Sequence, residues 1–159
     1  MSSAAINVNC QPTPNVALLK SNIIGNGGFE TGDFSGWSIV GGGNLSVQSG
    51  LGHSGNYCAE GAYLTTAQSS LSQTLTIPPG GNLSFWYRVL TGDTGGTNIV
   101  AQWNGANILT INTPSPTGWT QATLDMSAYA GQNHIFTIVL SDLLGTGNLS
   151  ILIDDISIQ

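Results

Sequence analysis

From residue 23 onward, apolar and polar positions alternate in short runs interrupted by glycines, and no run holds a 3.6-residue period beyond a turn or so. Ten runs stand out: Ser38–Val40, Leu45–Gln48, Tyr57–Thr65, Leu71–Ile77, Leu83–Leu90, Asn98–Trp103, Ile108–Asn112, Trp119–Asp125, His134–Ser141 and Leu149–Ile158. Alternation sends successive side chains to opposite faces of a strand, so each run can bury one face and wet the other. Strands of this length at this spacing predict an all-β fold, a two-sheet antiparallel β-sandwich of the jelly-roll kind.

The breaks carry turn chemistry. Asn104-Gly105 between two runs predicts a two-residue hairpin, because both residues tolerate the positive φ such a turn needs. Gly43-Asn44-Leu45-Ser46, Gly81-Asn82-Leu83-Ser84 and Gly147-Asn148-Leu149-Ser150 repeat one strand entrance, glycine and asparagine relaxing the backbone before alternation begins. Gly50-Leu51-Gly52-His53-Ser54-Gly55 spells a dinucleotide-binding glycine pattern. That pattern needs a helix after it to meet the pyrophosphate, and Tyr57 onward reads as strand, so it is a decoy. Residues 1–22 hold neither period and contain Pro12 and Pro14, which predicts an extended N-terminal arm before a domain spanning 23–159.

Composition narrows the partners. The chain has 159 residues, 40% apolar and 6% charged, with 22 glycines, enough apolar content for a core without a metal. Net charge is −6, and Lys20 and Arg88 are the only cations. Phosphate backbones and anionic lipids are held by clusters of Lys and Arg, so no nucleic acid and no membrane partner is expected. No stretch approaches the ~20 apolar residues of a membrane span, and Met1–Asn7 has no basic signal-peptide region. The Gly/Ser/Thr/Asn-rich, lysine-poor surface suits an extracellular setting or the surface of a virion.

Cys10 and Cys58 are the only cysteines. They are either unrelated thiols or a disulfide tying the arm to the domain, worth ~4 kcal/mol for a loop of about 50 residues. Neither His53 nor His134 sits in a nucleophile or zinc motif, so no catalytic residue is assigned and the chain is read as non-catalytic.

Several segments carry a resemblance when taken in order: Asn26-Gly27-Gly28-Phe29-Glu30 through Gly36-Trp37, His53-Ser54-Gly55-Asn56-Tyr57, Leu71-Ser72-Gln73-Thr74-Leu75, Trp103-Asn104-Gly105, Trp119-Thr120-Gln121 through Gln132, and Ile153-Asp154-Asp155-Ile156-Ser157. Together they resemble the galactose-binding-like jelly rolls, in particular carbohydrate-binding modules and related domains of bacterial surface and phage proteins. The resemblance implies a structural calcium ion held by Glu30 and by Asp155 or Asp154, with carbonyls from the loop around His53. Period-two geometry sets the two aspartates on opposite faces, so only one of them should join Glu30. The resemblance also places Trp37 and Trp119 in the core.

Sugars stack on aromatic faces while amides and charged groups fix their hydroxyls. In Leu83–Leu90, alternation puts Trp86 and Arg88 on the less apolar face, which makes them the expected glycan surface, joined by Gln102 or Trp103. Two functions follow. One is a virion-exterior decoration or adhesion protein docked on a capsid or on neighbouring subunits through its N-terminal arm. The other is a secreted carbohydrate-binding module for a neutral polysaccharide.

Overall fold

A computed structural model describes residues 21–41, 44–63, 67–90, 97–112, 118–142 and 149–159. The arm over residues 1–20, with Cys10, the loop 91–96 and the glycines of the entrances at Gly43 and Gly147 lie outside the described residues. Ten strands follow in chain order: β1 (Ser38–Gly41), β2 (Asn44–Ser49), β3 (Tyr57–Tyr63), β4 (Ala67–Thr76), β5 (Asn82–Val89), β6 (Thr97–Trp103), β7 (Ala106–Asn112), β8 (Thr120–Asp125), β9 (Asn133–Asp142) and β10 (Leu149–Ile158). A short 3-10 turn covers Ser127–Tyr129. Among the described residues each sequence run overlaps one strand, although β4 begins at Ala67 rather than Leu71.

The strands pair antiparallel in two five-stranded sheets, β1-β4-β9-β6-β7 and β2-β3-β10-β5-β8. This is the expected β-sandwich. The hairpin between β6 and β7 closes through Asn104 and Gly105, with φ of 50° and 80°, and Trp103 pairs with Ala106 across it. The decoy glycine segment is a loop running into β3, with no helix after it. Among the described residues no helix is long and apolar enough to cross a membrane.

The core fills the space between the sheets. From the first sheet come Leu71, Ile99, Ala101, Trp103, Phe136, Ile138 and Leu140; from the second come Leu83, Phe85, Ile151, Ile153, Ile156 and Ile158. Each fully buried large side chain contributes roughly 1.5–3 kcal/mol over its exposed state. Trp37 joins this core as the resemblance implies, stacking on Phe29 at 6.0 Å and donating its indole N–H to the Asn26 carbonyl at 3.1 Å.

Both ends of the domain meet at β10. Ile23 N–H donates to the Ile158 carbonyl and Ile156 N–H to the Gly27 carbonyl, at 3.1 and 2.9 Å. The approach at Gly27 is so close that a β-carbon there would overlap the Ile156 carbonyl. Next to this contact the β10–β5 register slips between Asp154 and Ser157. Asp154 faces Trp86 and Ser157 faces Ser84, so two β10 residues stand opposite Phe85 alone. This is a β-bulge, and Asp155 takes the left-handed conformation at φ 49°.

Candidate functional site

The outer face of the second sheet presents side chains that do not enter the core. Register places Gln48 beside Cys58, Glu60 beside Leu152, Leu152 beside Arg88, Asp154 beside Trp86, and Trp86 beside Gln121. The alternation of β5 holds as expected: Leu83, Phe85 and Val89 are buried inward, while Ser84, Trp86 and Arg88 lie outward and half-buried.

The loop 50–56 folds over this face and its His53 ring comes to rest on Trp86, centroids 3.9 Å apart and planes 14° from parallel. Trp119, just before β8, meets the same imidazole edge-on at 5.6 Å. The result is an aromatic cluster of two indoles and one imidazole on one sheet face. Among the described residues the indole N–H groups of Trp86 and Trp119 have no hydrogen-bond partner, whereas those of Trp37 and Trp103 donate to Asn26 and Gln132.

Three carboxylates anchor the loop. Asp154 is fully buried beneath it and accepts from the N–H groups of His53 (2.7 Å), Ser54 (3.3 Å) and Asp155 (2.7 Å). Asp155 accepts from His53 Nδ1 (2.7 Å) and from the Ser54 hydroxyl (2.6 Å). Glu30 accepts from the N–H groups of Asn56 and Tyr57, both within 3.1 Å. Gly55 stands at φ 62°, and a β-carbon there would fall on the Glu30 carboxylate. Burial, the largest cause, pushes the Asp154 carboxyl up to about 6, with the charge of Asp155 adding to the effect and the backbone N–H groups opposing it.

The two aspartates act together, contrary to the opposite-face expectation. The bulge breaks the period of two at Asp155, and both carboxylates reach His53. Two carboxylates and the Glu30 side-chain methylene flank Gly28: a β-carbon there would lie 3.5 Å from Asp155 Oδ1, 3.7 Å from Asp154 Oδ1 and 3.8 Å from Glu30 Cγ, while the Glu30 carboxylate itself turns toward Gly55. These oxygens suit a hard cation in kind, though among the described residues no three acidic, His or Cys side chains form a metal-holding group by themselves. Calcium here would need backbone carbonyls as well.

The four residues expected to share a glycan surface are divided. Trp86 and Arg88 stay together on the second sheet, while Gln102 and Trp103 belong to the first. Trp103 is 3% exposed, packed against Tyr129 and His134, and offers no face to a ligand. Gln102 points to the other side of β6 and donates to Asn107 Oδ1 at 2.9 Å. The period of β6 carried this signal, since Ile99, Ala101 and Trp103 share one parity and Gln102 the other. Trp119 departs from its expected core place and joins Trp86 instead. His53 was missed as an aromatic member because its partner lies on a distant strand. Cys58 is fully buried on the outer face of β3, its thiol pushed up to about 12, by burial first and then by the charges of Asp154, Glu60 and Glu30. Its pairing with Cys10 lies outside the described residues.

Neither a family model nor a curated protein matches the sequence. Solved structures do match. The chain is similar to TmCBM61 in complex with β-1,4-galactotriose, at TM-score 0.69 and 20% identity over 88% of this chain and 99% of that one. It is similar to the K3 cleaved adhesin domain of Lys-gingipain from Porphyromonas gingivalis W83, at TM-score 0.67 and 17% identity over 87% and 99%. A third likeness is to the enzymatically active domain of bacteriophage CBA120 tailspike protein 4, at TM-score 0.59 and 17% identity, covering 86% of this chain but 21% of that one. With its two antiparallel sheets, the chain has the jelly-roll β-sandwich fold of the carbohydrate-binding modules.

Proposed function

We propose that this chain is a non-catalytic carbohydrate-binding or adhesion module, and that it meets its glycan on the outer face of the second sheet around Trp86 and Trp119. The observation that carries this reading is the pair of half-buried indoles with unpartnered N–H groups, set beside Gln121 and Arg88. Indole rings give a sugar an apolar face, and nearby N–H, amide and guanidinium groups reach its hydroxyls. The galactotriose-bound module among the structural neighbours supports this class of ligand, and the adhesin domain supports an adhesion role. A glycan array with wild type and Trp86→Ala tests it: wild type should bind a neutral glycan and the variant should not. Equal binding by both, or binding by neither, rejects the reading.

A virion-exterior setting, with the arm docked on a capsid or on neighbouring subunits, has support from the phage tailspike likeness. Deleting residues 1–20, which leaves Asn22 and its bonds to Ile24, Ile156 and Ile158 in place, tests it, because the truncated protein should no longer assemble onto its particle.

Calcium is proposed as a structural ion held by Glu30 and the Asp154–Asp155 pair with carbonyls of the loop 53–57. The approach of the Asp154 and Asp155 carboxylates to Gly28, with the Glu30 side chain beside them, supports it. When bound, the ion supplies positive charge to a buried acid and ties the first segment of the domain to the last strand.

A further inference from the structure

Next to the aromatic cluster lies a cavity of about 280 Å³ whose walls include Asn22, Ser84, Trp86, Asp155, Ser157 and Gln159. Its residues come from the start of the domain, from β5 and from the end of β10. We propose that this cavity is a subsite for one terminal sugar ring of a neutral glycan, an inference that rests on the glycan-binding reading above.

Size is the first argument. Small-molecule sites occupy roughly 300–1,000 Å³, so a cavity just below that range suits a single ring better than a run of rings. Chemistry is the second. The walls bring together two carboxamides, two hydroxyls, one carboxylate and one indole, a set that donates to and accepts from hydroxyl groups. The only charged side chain among them is the carboxylate of Asp155, which disfavours phosphate, sulfate or acidic sugars and favours a neutral polyol.

Preorganisation is the third argument. Asn22 is fixed by three bonds: its Oδ1 accepts from the N–H groups of Ile24 and Ile158, and its Nδ2 donates to the Ile156 carbonyl. One amide hydrogen is left over. The hydroxyls of Ser84 and Ser157 bond to each other at 2.9 Å, which leaves one hydroxyl hydrogen for a ligand. Asp155 is aimed by the bulge and held by His53 and Ser54. The Gln159 carboxamide and the Trp86 indole N–H have no partner among the described residues. Polar groups held in place before binding lose little freedom when a ligand arrives, and two unpartnered donors gain bonds.

Calorimetric titration in calcium-containing buffer with galactose, glucose and xylose, each beside galactotriose, cellotriose or xylotriose, tests the subsite. A single sugar and its trisaccharide should bind wild type with affinities within about threefold of each other, since one ring makes the contacts. Ser84→Tyr, which fills the cavity, and Gln159→Ala, at the last residue, should each weaken both by about tenfold or more. Melting curves verify that both variants are folded, and the Gln159 change leaves the strands intact should the Ser84 change unfold the domain. Affinity that climbs with chain length, or a folded variant that binds like wild type, overturns the subsite and leaves the glycan-binding reading standing. Failure of every sugar and trisaccharide to bind wild type overturns both.

Discussion

The imidazole of His53 lies flat on the indole of Trp86, 3.9 Å between centroids, while its Nδ1 holds Asp155 at 2.7 Å. One side chain from a glycine-rich loop thus joins β5 to the bulge of β10. Replacing it with alanine removes a ring stack and a charge-assisted hydrogen bond at a half-exposed site. His53→Ala should cost about 1–2 kcal/mol in urea unfolding and change tryptophan emission as Trp86 meets water. Unchanged stability and emission would mean that the loop is held by its backbone alone.

Asp154 should make the metal-free protein less stable as pH rises. Its carboxyl is pushed up to about 6 in the fold against an ordinary 3.8, so the fold favours the protonated form. The stability this group contributes is complete below 3.8 and is lost as pH rises through about 6. In chelator, the melting temperature should fall from pH 4 to pH 7, and Asp154→Asn should flatten that slope. Saturating calcium should reverse it, because a cation favours the charged form.

Cys58 should be inert in the native state. A fully buried thiol pushed up to about 12 carries almost no thiolate at neutral pH. In a Cys10→Ser background, a thiol reagent should label nothing before unfolding and one thiol after it. Rapid native labelling would mean that the packing around β3 opens readily.

Gly27 should tolerate no side chain. A methyl group there would overlap the Ile156 carbonyl, so Gly27→Ala must break the contact between the start of the domain and β10. A loss on the order of 3 kcal/mol is expected, seen as an early thermal transition.

The fold was legible because local rules agree with it. Alternation in Leu83–Leu90 put Phe85 inward and Trp86 outward without tertiary knowledge, and Asn104-Gly105 announced its hairpin. The site was only partly legible. Period-two counting holds until a bulge interrupts it, so Asp154 and Asp155 were assigned to opposite faces when both grip the same loop. Nothing local distinguishes the sheet of Trp86 from that of Trp103, because sheet membership follows from pairing between distant strands. The stack of His53 on Trp86 and the meeting of Asn22 with Gln159 belong to the same class. They join residues far apart in the chain, which only the closed sandwich brings together.

The central claim, that glycan lands on the outer face of the second sheet, is tested most directly by the indole N–H signals of the four tryptophans in an NMR titration with galactotriose and xylotriose. The signals of Trp86 and Trp119, unpartnered among the described residues, should shift in proportion to bound sugar. Those of Trp37 and Trp103, bonded to Asn26 and Gln132, should stay in place. Shifts confined to Trp37 or Trp103, or no shift at Trp86 while sugar binds, would contradict it.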